Sequence, residues 1–156
     1  MRRFRAPARV LVVAVALLAV AASVLAVTAS AQSGAGANHR ARPLHLTKEC
    51  PPSTMQGQIG DYCTVTSSNV PAIPVGTMIF YAQAAGQESL DSDVILYTGR
   101  GKTATGHCEL EFATGFGRCR LFGGTRTLDG IRARVDVSYL GGFDWAWDGT
   151  YRFEDD

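Results

Sequence analysis

The chain has three histidines, and none of its four cysteines forms a Cys-x-x-Cys pair. That combination argues against the common structural zinc sites, which need closely spaced thiolates or thiolate–imidazole sets. Neither a metal nor a cofactor is expected. No Gly-x-Ser-x-Gly elbow occurs, so nothing supports an α/β-hydrolase nucleophile. A sustained 3.6-residue apolar period is also missing from the body of the chain, which excludes a fold built on amphipathic helices. Gly99-Arg100-Gly101-Lys102-Thr103-Ala104 imitates a nucleotide loop. A phosphate loop, however, requires a glycine where Leu96 stands and a helix where Thr105 to Phe112 is strand-like.

What is present begins with the amino terminus. Arg2, Arg3, Arg5 and Arg9 precede an apolar or small-residue run from Val10 to Val27, and Ala29-Ser30-Ala31 offers a signal-peptidase site. Residues 1–31 therefore read as a signal peptide and the protein as secreted, with no stable membrane span once the signal is cleaved. The alternative is an uncleaved N-terminal membrane anchor, since the run is just long enough to cross a bilayer. Loss of residues 1–31 removes four of fifteen basic residues and none of the fourteen acidic ones, leaving eleven against fourteen, a net charge of −3. A mildly acidic domain without a Lys/Arg cluster is not a nucleic-acid binder. Residues 32–46, rich in glycine and alanine at their start, read as a flexible linker. Residues 47–156 form one domain by size.

Within that domain, strand-like runs recur at Asp61 to Thr66, Val75 to Tyr81, Asp93 to Thr98, Ile131 to Tyr139 and Trp145 to Phe153. Two more flank a turn in GHCELEFATGFGRCRLFGGT, residues 106–125. If Cys108 lies opposite Cys119, then Glu109 meets Arg118, His107 meets Arg120, and the apolar residues share the sulfurs' face. Four cysteines allow three pairings. The hairpin register favours Cys108 with Cys119, leaving Cys50 with Cys63, and an oxidising compartment would sustain both. His107 and Glu109 carry the His-x-Glu of zinc deaminases, but the Pro-Cys-x-x-Cys partner is absent. With Arg118 and Arg120 opposite, that row reads as a solvated face. Strands of this length between Gly, Pro and Asn argue an all-β antiparallel barrel or sandwich.

The run CRLFGGTRTLDGIRARVDVSY is similar to the strand–turn–strand signature of allene oxide cyclases and dirigent proteins. Phe122, Gly123, Gly124, Thr125, Leu128 and Gly130 match it, and Gly60-Asp61 resembles the opening of an early barrel strand in both families. The closing Trp147-Asp148-Gly149-Thr150-Tyr151, Phe153 and the cysteine pair resemble small secreted bacterial members of this barrel group. Arg126 departs from the pattern, standing where the families carry the glycine after Gly-Gly-Thr. The resemblance implies an eight-stranded antiparallel barrel, commonly a homotrimer, whose interior takes a small apolar molecule. It also implies catalysis by confinement of a reactive lipid or phenolic intermediate.

Three classes of function follow: a barrel that binds a small apolar or amphipathic molecule, an isomerase or cyclase, or a disulfide-stapled structural module without a ligand. The binding candidates are Asn69, by its resemblance to a pocket asparagine of the cyclases, and Trp145 and Trp147. The two tryptophans share a face with Val135 and Val137 if the last two strands pair in an even register, and one such register sets Arg134 opposite Asp148. No catalytic residue is assigned.

Overall fold

Period-two alternation of apolar and polar residues becomes eight strands in the computed structural model, which describes residues 40–154. They are β1 (Arg42–Glu49), β2 (Tyr62–Ser68), β3 (Met78–Tyr81), β4 (Ser89–Tyr97), β5 (Thr103–Glu111), β6 (Phe116–Gly124), β7 (Ile131–Gly141) and β8 (Asp144–Phe153). Each strand pairs antiparallel with the next, and β1 closes onto β8, giving a closed up-and-down barrel. Closure removes the unpaired edges along which a sheet could recruit another chain. The one helical element among the described residues is a 3-10 turn, Arg126–Leu128.

In β4, Leu90, Ser92, Val94 and Leu96 are buried while their alternate neighbours are exposed, and β7 buries Ile131, Ala133, Val135 and Val137 between the half-buried Arg132 and Ser138 and the exposed Arg134 and Asp136. Those inward rows meet Leu44 and Leu46 of β1, Val65 of β2 and Trp147 of β8 in one apolar core. Burying each such aliphatic side chain stabilises the fold by about 1.5–3 kcal/mol. An eight-stranded barrel has an interior that side chains can fill or that can admit one small ligand.

The hairpin register is as expected: Cys108 faces Cys119, Glu109 faces Arg118 and His107 faces Arg120. Disulfides join Cys108 to Cys119 and Cys50 to Cys63. The register of β7 and β8 differs from the expectation by two residues. Arg134 lies opposite Thr150, and Asp148 opposite Asp136. An even slip leaves every side chain on its face, so Val137 and Trp147 still share the interior. The irregularity between Tyr139 and Gly141 and the short turn into β8 fix the offset. Asp148 finds a hydrogen-bond partner on the other side, where His45 Nδ1 of β1 lies 2.6 Å from its carboxylate.

Residues 42–46, which composition assigns to the linker, belong to β1. β4 begins four residues earlier than its expected start, and β3 begins at Met78 because Val75 to Thr77 belong to the turn before it. The expected signal peptide, residues 1–31, and residues 32–39 of the expected linker lie outside the described residues.

The turn between β6 and β7 keeps a left-handed residue where the sequence has no glycine: Arg126 has φ +59°. Gly130, at φ +66°, closes the same turn. A Cβ there would come within 1.9 Å of the Glu154 carbonyl oxygen, so only glycine fits.

Candidate functional site in the barrel interior

Antiparallel order gathers the ends of β1, β3, β5 and β7 and the starts of β2, β4, β6 and β8 at one mouth of the barrel. Several aromatic side chains congregate there. Tyr139 and Trp145 face each other across β7 and β8, their rings 4.9 Å apart and tilted by 49°. With Phe112, Phe143, Met55 and the half-cystine Cys50 they line a hollow of about 350 Å³. Phe112, Tyr139 and Phe143 are between 41% and 49% exposed, although all are large and apolar. Exposed aromatics collected in one place mark an interaction site more often than scattered ones do.

Beside this mouth the core departs from its apolar rule. Lys48 follows Leu44 and Leu46 along the inward row of β1 and is only 3% exposed. Its Nζ donates to Tyr81 Oη. It also lies 5.2 Å from the centre of the Tyr81 ring and 5.1 Å from that of Trp147. Tyr81 Oη is 3.7 Å from Cys63 Sγ, which is disulfide-bonded and so can only accept. Trp147 is fully buried, and its Nε1 is buried with no hydrogen-bond partner. Among the described residues Lys48 has no carboxylate partner.

Burial alone lowers the Lys48 pKa from 10.5 to about 7, and burial pushes the Tyr81 phenol well above its ordinary value. Both groups are driven toward their neutral forms. The two aromatic rings oppose that trend for lysine by favouring the cation, an effect worth about 2 kcal/mol when desolvated. The result is an amine whose burial brings its ionisation toward neutral pH, in a largely apolar interior that also buries Ser92.

The hollow and this cluster are linked through a strand pairing and a disulfide. Lys48 lies opposite Trp145 across β1 and β8. Cys50 lines the hollow, and its disulfide partner Cys63 touches the Tyr81 hydroxyl. The mouth offers apolar walls, and the neighbouring cluster offers buried hydrogen-bond donors.

Of the three expected binding residues, Trp145 lines the mouth and Trp147 lies in the interior below it. Asn69 belongs to neither. It is exposed beyond the end of β2, at the opposite end of the barrel. There its side chain accepts from His45 N at 2.8 Å and donates to the Pro43 carbonyl at 3.3 Å, clipping β1 to the β2–β3 connection. Lys48 and Tyr81 carry the interior chemistry without having been singled out in the sequence. The signal was present in the alternation Leu44, Leu46, Lys48, where a lysine continues an inward apolar row.

On the outer wall His107 is held among carboxylates. Nε2 lies 3.0 Å from Asp91, and Nδ1 lies 3.0 Å from Asp93. The hydrogen bond with Asp93 leads the causes that raise the His107 pKa, and its counterpart lowers that of Asp93. This is the solvated charged row expected of the strand, and it tightens the pairing of β4 with β5. A wider depression of about 760 Å³ runs beside it, bordered by Asp91, Glu109, Arg118 and Asp136.

Compared with protein-family models, with curated proteins and with solved structures, the chain matches none.

Proposed function

We propose that this protein is a secreted β-barrel that takes up a small apolar or amphipathic molecule at the Trp145 mouth, in the manner of the allene oxide cyclase and dirigent barrels it resembles. The observation that carries the reading is the aromatic hollow at the mouth, with Trp145 on its lining lying opposite Lys48 of a buried polar cluster. Ligand sites characteristically combine apolar walls with a few convergent polar groups. Export accords with the two disulfides and with the expected signal at residues 1–31. Among the described residues no helix is long and apolar enough to cross a membrane. The homotrimer implied by the resemblance belongs to the same reading.

A second reading, an isomerase or cyclase acting on a reactive lipid or phenolic intermediate, draws on the Lys48–Tyr81 pair. Both groups can exchange a proton, and a lysine poised near neutral pH is suited to general base work. In that case the aromatic mouth would hold the substrate in one conformer while the pair moves the proton.

Tryptophan fluorescence and thermal melting test the reading with a panel of fatty acids, terpenoids and phenolics. A ligand at the mouth quenches or shifts the Trp145 emission and raises the melting temperature, because it binds the folded state alone. If both signals stay unchanged at high micromolar concentration, the disulfide-stapled structural module is the correct description. Turnover of an unsaturated fatty-acid epoxide above the rate in buffer would establish the enzyme.

A further inference from the structure

The interior cluster has more hydrogen-bond donors than acceptors. A protonated Lys48 Nζ carries three donors, and Tyr81 Oη takes one of them. Trp147 Nε1 carries a donor with no acceptor at all. The Tyr81 hydroxyl has for its own proton only a disulfide sulfur, a weak acceptor. Folded proteins rarely leave buried donors unmatched, and a buried ammonium without a counter-charge is the costlier case. What the cluster lacks is an anionic oxygen acceptor, and Trp145 of the aromatic hollow lies opposite Lys48 across β1 and β8.

We propose that the molecule taken up at the mouth is a small carboxylic acid, its apolar body against Tyr139, Phe143 and Trp145 and its carboxylate received by Lys48 Nζ and Trp147 Nε1. This rests on the ligand-binding reading above and adds the chemistry of the head group. A carboxylate has two oxygens with about four acceptor positions, enough for an ammonium and an indole N–H together. It also supplies the negative charge that the described residues do not place beside Lys48. Met55 at the rim is flexible enough to move aside as the ligand enters. No covalent step is involved.

Proton uptake is the signature of this binding mode. Tyr81 on β3 is the titratable group that contacts Lys48, and Trp147 on β8 and the Cys63 half-cystine on β2 carry no charge. A carboxylate therefore favours the ammonium, and affinity for the acid falls as pH rises above neutrality.

The test uses the exported, oxidised protein and three probes that share one body: 3-phenylpropanoate, 3-phenylpropanol and 3-phenylpropanal. Calorimetry at pH 6.5 is expected to show the acid binding at least tenfold tighter than the alcohol, with that preference shrinking by pH 9. Lys48→Met should erase the preference, the acid losing at least tenfold more affinity than the alcohol. Trp147→Phe, which keeps a ring but loses the N–H, should weaken the acid several-fold more than the alcohol. If acid and alcohol bind equally and Lys48→Met changes neither, the carboxylate inference fails while the pocket reading stands. If no probe binds the native protein, both fail. If borohydride fixes the aldehyde onto Lys48 and the acid does not compete, the site takes carbonyl compounds and the inference is overturned.

Discussion

Lys48 Nζ donates its hydrogen bond to Tyr81 Oη inside the barrel, and among the described residues no carboxylate stands beside the pair. The relationship has a direct consequence for stability. Lysine ordinarily ionises near 10.5, and burial brings this one to about 7. Between those values the unfolded chain holds a proton that the folded chain does not, so this group's contribution to stability rises with pH across that window. Below pH 7 the folded state also carries the charge, and the full penalty applies. Lys48→Met should therefore raise the melting temperature, most strongly below pH 7, with the gain over the native protein shrinking from pH 7 to pH 10. Paired melts of the two proteins across pH 6 to 10 check this.

The Cys108–Cys119 bridge closes a short hairpin whose register the flanking charges also favour. Replacing both cysteines by serine should cost about 2–5 kcal/mol, as loss of a native bridge in a small exported domain does. Urea unfolding measures that cost. Non-reducing peptide mapping of the native protein should recover Cys108 with Cys119 and Cys50 with Cys63, and no Cys63–Cys108 peptide.

His107 behaves in the opposite sense to Lys48. Its contacts with Asp93 and Asp91 hold its pKa above the ordinary 6.5. The stabilisation it supplies is complete below the unfolded value and is lost as pH rises through the folded one. The melting-temperature difference between native protein and His107→Gln should shrink as pH is raised from 6 to 9. It should also shrink in high salt, because the cluster lies on the surface.

Arg126 and Gly130 occupy one turn and make contrasting predictions. Arg126 holds a positive φ at a cost that glycine avoids, so Arg126→Gly should stabilise the fold by about 1 kcal/mol. Gly130→Ala drives a methyl group into the Glu154 carbonyl as well as straining φ, and should destabilise by about 2 kcal/mol or more. Denaturant midpoints of the two variants settle the signs.

Much of the fold was legible in the sequence because strands announce themselves by alternation and turns by glycine. The Cys108–Cys119 hairpin combined three signals in one register: sulfur, charge and apolar face. β1 escaped because it joins a Gly/Ala-rich stretch and because Lys48 interrupts its inward row where an apolar residue belongs. The interior cluster escaped for a related reason. Tyr81 reads as an ordinary strand aromatic, and only closure of β1 onto β8 brings Lys48, Tyr81 and Trp147 together. Asn69 was drawn toward the pocket by resemblance, whereas its amide holds the far end of β1. The Arg134–Asp148 pairing was a choice between registers that place every apolar side chain on the same face, so the alternation could not separate them.

Nuclear magnetic resonance of the isotopically labelled protein during titration with a bound small molecule tests the central claim most directly, since it locates the ligand residue by residue. With 3-phenylpropanoate as the probe, the largest saturable shifts should fall on Met55, Phe112, Tyr139, Phe143, the Trp145 indole and the Lys48 side chain, with Asn69 and the His107 row unmoved. Shifts confined to the outer wall, or none at millimolar probe, would contradict a binding site at this mouth.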